Sequence, residues 1–282
     1  MPNLIIPEVF ADAVNAKLGT SLRIGRVAFN ATPDVTEIMQ YGETIHFPKF
    51  SRNVVATEVT KGVPLSPTAM DMTDTTAKIK HVAATARVYD VEVAQVKGRV
   101  MNEAVERVAD AMALKIDNDL VTAMDTDAVY KQATAAADAI TADELMAAMG
   151  CFGDNVDTAS FAGIVVNSRL LPSLLKMDSF TSVEKTYNKR EQANGLIVDG
   201  VVGYFIGIPV ILCNNGTYDT DKNECKSYAV KRNALGYILQ KNINIEVERE
   251  SKLLADNIIA SALYAVKLLE TDGVVVLRKT TT

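Results

Sequence analysis

Two runs of strand-forming residues, Glu43 to Thr60 and Thr75 to Val96, flank the connector KGVPLSPTAMDMTD, and nothing else in the chain constrains its fold as much. Both runs are rich in valine, threonine and isoleucine, the residues that suit an extended backbone. The connector holds two prolines and a glycine and reads as an exposed loop. In the second run an extended backbone puts Ile79, His81, Ala83, Thr85 and Arg87 on one face and Lys78, Lys80, Val82, Ala84 and Ala86 on the other. Neither face is cleanly apolar, as a core strand would be. A two-stranded ribbon is marginal alone in water, and at about 3.3 Å per residue strands of this length reach several tens of ångströms. Pro48 removes a ladder donor and confines the first run to a sheet edge or a bulge. The expectation is an arm that lies across a neighbouring molecule, since an uncovered edge invites pairing.

The remaining chain surrounds this arm with a mixed α+β body. Residues 1 to 35 form a leading segment in which IPEVFADAVNAKL is weakly amphipathic, with Pro7 near the first turn of a short helix. GRVMNEAVERVADAMALKIDNDLVTAM, residues 98 to 124, is the clearest helix: Met101, Val105, Val108, Met112, Ile116 and Leu120 recur at steps of three and four. Its acidic residues, Asp117 and Asp119 among them, are expected on the solvated side. The alanine-rich ATAAADAITA at 133 to 142 reads as a linker. TADE at 141 to 144 is a capping box opening a helix through Met149 that ends near Gly150. FAGIVVN is a buried strand, followed by the short helix SRLLPSLLKM and the strand material VGYFIGIPVILCNN. NINIEVERE alternates strictly, with Ile243, Ile245 and Val247 on one face. In ALYAVKLLETDGVVVLRK, strand formers on both sides of Asp272-Gly273 predict a hairpin. These last strands are expected to return to the long helix.

The chemistry of the side chains excludes more than it offers. The chain of 282 residues is 48% hydrophobic with a net charge of -6, long enough for one large core or two smaller ones, and the acidic balance disfavours a dedicated nucleic-acid binder. The longest apolar run, residues 196 to 213, contains Asp199, three glycines and Pro209, and suits buried strands better than a membrane span. The N-terminus has no signal-peptide pattern. Cys151, Cys213 and Cys225 are odd in number and lack zinc spacing, in keeping with free thiols made in a reducing cytoplasm. Asp219 to Asn223 begins like a calcium loop, but Glu224 replaces its glycine and Val230 its bidentate glutamate, so a solvated turn is the better reading. Cys151 follows a helix C-terminus, the wrong pole to stabilise a thiolate, while His46 and His81 lie in the ribbon. Gly200, Gly203 and Gly207 miss the dinucleotide spacing and suit turns and bulges. No nucleophile elbow and no phosphate-cradling G-K-[ST] occurs. No catalytic, cofactor-binding or metal-ligating residue is therefore assigned, and no cofactor is expected.

The order of parts has a parallel. A leading segment with IIPEVFADAV, an extended hairpin beginning GETIHFPKF, a long helix after VYDVEVAQV, a compact α/β region, and closing strands with NINIEVERES and ALYAVKLLETDGVVVLRK resemble the major capsid proteins of tailed bacteriophages with the Hong Kong 97-like fold. The resemblance spans about residues 4 to 280 and rests on element order, lengths and texture, because the family has no short diagnostic motif. It implies an N-terminal arm at 1–39, an E-loop at 40–80, a peripheral domain with a spine helix at 81–138, an axial domain at 139–235, and peripheral return strands at 236–282. It further implies self-assembly as pentamers and hexamers into an icosahedral shell enclosing double-stranded DNA held without sequence specificity, built in the host bacterial cytoplasm with a portal and no membrane. The short stretch before the E-loop and the starting Met1 point to a separate scaffolding protein over a fused one. Some relatives cross-link a lysine to an asparagine; Lys61 has the loop-tip position, but no matched partner or supporting glutamate is found.

Such a protein would act through its contact surfaces and not as an enzyme, its many interfaces repeated in closed symmetry. Competing expectations are an encapsulin-like compartment shell, a soluble α/β enzyme with an unrecognised site in the 140 to 230 region, and a tail-tube protein, against which the long helix argues.

Overall fold

A computed structural model of the chain describes residues 21–31, 44–50, 56, 58, 72–96, 99–154, 156–181 and 200–281. The leading helix expected within residues 5–18, Lys61, and the connector short of Met72 lie outside the described residues.

After a 3-10 turn at Ile24–Arg26 come the strands β1 (Phe29–Asn30), β2 (Thr44–Phe50), β3 (Met72–Lys78) and β4 (Lys80–Tyr89), then helices α1 (Asp90–Gln95) and α2 (Arg99–Asp127). Strand β5 (Tyr130–Ala133), helix α3 (Ala142–Gly150), β6 (Phe161–Val166), α4 (Leu171–Lys176) and α5 (Asp178–Thr181) follow. The rest is strand: β7 (Val201–Phe205), β8 (Ile208–Leu212), β9 (Tyr218–Asp219), β10 (Glu224–Cys225), β11 (Ser227–Lys231), β12 (Leu235–Glu250), β13 (Ala255–Leu268) and β14 (Val274–Arg278).

The second extended run does not continue as one ribbon strand. Met72–Lys78 pairs with β2 in a two-stranded hairpin, and the pairing then changes partner at Ile79. From Lys80 onward β4 runs antiparallel to β13 inside a four-stranded sheet of order β1-β12-β13-β4. The cause is its alternate residues. Val82, Ala84 and Ala86, with the buried Val88, pack on the core beneath α2, while His81, Ala83, Thr85 and Arg87 face out. Small apolar side chains at every second position suffice to seat a strand on a helix. The run ends at Tyr89, where Asp90 and Glu92 open α1 on its favourable positive pole.

The second sheet has six strands in the order β5-β14-β11-β6-β8-β7 and is buried on both faces. Val165, Tyr228, Val230, Val274 and Val276 face the core of α2; their neighbours Ile164, Val166, Ala229, Val275 and Leu277 face a second core with α3, α4 and α5. Double burial explains why these strands read as unbroken apolar runs. The capping box of α3 is present as expected, with Glu144 N–H donating to Thr141 Oγ1 at 3.3 Å and Thr141 N–H to Glu144 Oε2 at 2.7 Å. Gly200 and Gly207 take positive φ at turns, and Gly203 sits at the register shift between β7 and β8.

Asp272-Gly273 does not turn a hairpin: β13 belongs to the four-stranded sheet and β14 to the six-stranded one. This segment instead carries the chain between sheets, crossing the β11–β12 connection. Leu269 N–H donates to Ala234 O, and Lys231 N–H to Gly273 O. A Cβ on Gly273 would stand 2.5 Å from Ala234 Cβ, so glycine is needed here for close approach.

Candidate functional site

The long helix α2 carries the polar constellations that organise the molecule. Met101, Val105, Val108, Met112, Ile116 and Leu120 are buried as the periodicity requires, each contributing about 1.5–3 kcal/mol by leaving water. Asp117 and Asp119, expected on a solvated face, are instead 0% and 7% exposed. The helix is covered on more than one side, and the two carboxylates meet different partners.

Asp117 accepts from three successive backbone N–H groups of the 3-10 turn: Arg23 at 3.1 Å, Ile24 at 3.2 Å and Gly25 at 3.4 Å. Asn215 Nδ2 donates to the same carboxylate at 3.2 Å. Burial pushes the Asp117 carboxyl up, and these donors only partly offset it. Its charge also helps burial raise the Cys213 thiol to about 11, which makes that cysteine an inert core residue. Asp119 accepts from Tyr264 Oη at 2.7 Å and pairs with Lys115 at 3.0 Å and Lys80 at 3.1 Å. Burial would raise it too, but the phenol and the two ammonium groups outweigh that and hold it below the ordinary carboxylate range.

A third constellation closes the C-terminal end of α2. Arg278 on β14 reaches Glu224 at 2.6 Å, Asp219 at 3.1 Å and Asp125 at 3.2 Å, while Lys226 reaches Asp125 at 2.8 Å and Asp219 at 3.3 Å. Asp219 opens the calcium-like stretch, and its other oxygen accepts from Asp221 and Lys222 N–H, closing the turn. The protein's own cations thus take the carboxylate that a metal loop would use. Thr220, Asp221, Lys222 and Asn223 of this turn are solvated.

The remaining sequence candidates are scattered. His46 pairs with Asp74 across the β2–β3 hairpin, and His81 is exposed on β4. Cys151 is half-buried at the end of α3, its thiol donating to Ala147 O at 3.5 Å. Among the described residues no group of three or more His, Cys, Asp or Glu side chains is placed to hold a metal ion, and no described helix is long and apolar enough to cross a membrane.

The outer surface carries several exposed apolar side chains. The antiparallel hairpin β12–β13 ends in a turn at 251–254, where Asp90 N–H donates to Leu254 O at 3.0 Å and Arg249 grips Asp90 with two bonds of 2.6 and 2.5 Å. Near this clamp Tyr89, Val91, Leu253 and Leu254 are exposed apolar side chains, Val91 at 64% and Leu254 at 62%. Beside them, Thr85, Ala86, Arg87, Asn257 and Ile259 line a shallow groove of about 450 Å³ on the outer sheet face.

No family model matches the chain. The fold itself is the α+β fold of phage capsid and head structures. A chain of Mycobacterium phage Che8 aligns with a TM-score of 0.66 at 21% identity, covering 92% of this chain and 91% of that one. The capsid of the empty GTA particle gives 0.66 at 12% identity over 92% and 89%, and the head structure of Helicobacter pylori bacteriophage KHP40 gives 0.66 at 9% over 92% and 90%. In sequence, the chain is 26% identical over 280 residues to the major capsid protein of Staphylococcus phage phiMR11, covering 96% of this chain and 95% of that one. The resemblance to tailed-bacteriophage major capsid proteins with the Hong Kong 97-like fold is borne out.

Proposed function

We propose that this chain is the major capsid subunit of a tailed bacteriophage, a structural protein without catalytic activity. The observation that carries the proposal is the end-to-end match to a major capsid protein, together with a fold shared with phage capsids and heads across nine-tenths of the chain. Subunits gather as pentamers and hexamers into an icosahedral shell around double-stranded DNA, which is held without base contacts, as the net charge of -6 suits. Residues 40–80, whose described part includes the hairpin β2–β3, act as the E-loop. Helix α2 is the spine. The axial domain at 139–235 holds α3, α4 and α5 with β6, β7, β8 and β11 of the six-stranded sheet, which β5 and β14 complete from the peripheral ranges; the peripheral domain at 81–138 and 236–282 holds α2 with β4, β12 and β13 of the four-stranded sheet. Residues 1–39 are the N-terminal arm. A separate scaffolding protein and a portal complete assembly in the host cytoplasm, and the chain ends in the virion.

Cryo-electron microscopy of particles from cells producing the chain with its scaffolding protein tests this. Icosahedral shells whose repeating density fits this fold are expected. Shells built from another protein, or this chain in tubes or as isolated monomers, would overturn the proposal.

A further inference from the structure

Asp117 does more than fill a core position. One fully buried carboxylate holds three consecutive N–H groups of the strap at residues 21–25 and the side chain of Asn215, two segments far apart in the chain. A second bond ties the same two regions together, because Arg23 Nη1 donates to Leu212 O at 3.2 Å. Beyond Asn215 the polar contacts continue. Asn214 Oδ1 accepts from Ser168 N–H at 2.9 Å, Thr217 Oγ1 donates to Cys213 O at 2.6 Å, and Asn167 Nδ2 donates to Thr217 Oγ1 at 2.8 Å. Asn167 and Ser168 stand where β6 passes into the turn Ser168–Leu170 ahead of α4. Through neighbouring residues of the 213–217 loop, these hydrogen bonds join the strap and the long helix to the entrance of α4.

The strap has little else of its kind to hold it. Leu22, Ile24 and Val27 pack into the core, and Ser21 Oγ donates to Asp110 at 2.9 Å at the exposed rim. If Asp117 loses the strap, three of its four described donors go with it and Asn215 alone of them remains. Loss of either segment weakens the hold on the other.

We propose that Asp117 is a latch: it fastens the strap at 21–25 and the loop at 213–217 to the long helix as one cooperative unit, so that release of the strap loosens the loop and the entrance to α4. The latch belongs to the single folded subunit and holds whether or not copies assemble.

Native-state hydrogen exchange on the unmodified chain tests it, with low urea to separate partial from global opening. The amides of Arg23, Ile24 and Gly25 and that of Ser168 are expected to exchange with one opening free energy and one urea slope, below those of Val165 and Val276 in the six-stranded sheet. In Asp117→Ala, these strap and loop reporters speed up together by about tenfold or more while Val165 and Val276 keep their relative protection. Independent opening of strap and loop, or their exchange only through global unfolding, would overturn the latch. The measurement on the unmodified chain decides the matter even if the variant fails to fold.

Discussion

Asp117 and Asp119 stand about 200° apart around one helix, and their environments give them opposite responses to acid. The raised Asp117 carboxyl binds its proton more tightly in the folded chain. The part of its contribution that is linked to this proton is therefore largest below the ordinary carboxylate value of 3.8 and is lost as pH rises through its raised value, while its hydrogen bonds to the strap and Asn215 remain. Asp119 is held low, so its contribution is present above 3.8 and is lost as pH falls through its depressed value. Asp119→Asn is expected to cost about 1–3 kcal/mol at neutral pH and less in acid. Urea unfolding at pH 7 and pH 3 measures this, and an equal loss at both would contradict the assignment. Asp117→Ala, which strands several buried donors, is expected to cost about 3 kcal/mol by the same measurement at pH 7. The apolar positions of this helix were legible in the sequence because their period is local. The two acids were not. Asp117's partners lie 92 to 98 residues away, and Tyr264 lies 145 residues from Asp119.

Elements join where polar networks and close contacts demand particular residues. Arg278→Met removes the cation that Glu224, itself 1% exposed, shares with Asp125 and Asp219, and among the described residues leaves Lys226 to balance the two aspartates. A loss of about 3–5 kcal/mol is expected, with much of it recovered when Glu224→Gln is added. A double-mutant cycle by chemical denaturation checks it, and additive losses would show no coupling. Gly273→Ala drives a methyl group into Ala234 and is expected to cost about 1–3 kcal/mol, with Ala234→Gly as the partial rescue. Gly273 also shows why a motif misleads. Asp-Gly between two strand-forming runs predicts a hairpin on local grounds, yet β13 and β14 were already committed to different sheets by their other faces. The capping box of α3 and the alternation of Ile243, Ile245 and Val247 held because both are settled within a few residues.

On the scale of the whole molecule, the arm inferred from residues 43 to 96 is shorter than the sequence suggests, since β4 joins the body and leaves β2 and β3 as its described base. The longest hairpin is instead β12–β13, whose 16-residue first strand spans about 50 Å and carries the apolar tip. The change of partner at Ile79 was not legible, because it depends on the edge that β13 offers some 180 residues later along the chain. The arm still governs what the proposed subunit does. Deleting residues 60–75 removes part of β3 but leaves β4 held by β13, so a soluble folded subunit that no longer forms shells is expected. Circular dichroism with electron microscopy would check both halves, and normal particles would contradict the E-loop role. The central claim, that this protein works by binding copies of itself, is tested most directly by the mass of the purified chain in light scattering, with negative-stain images of the same fraction and scaffolding protein supplied. Capsomer rings or closed particles tens of nanometres across are predicted by analogy with closed homo-oligomers; a persistent monomer or dimer at high concentration would contradict it.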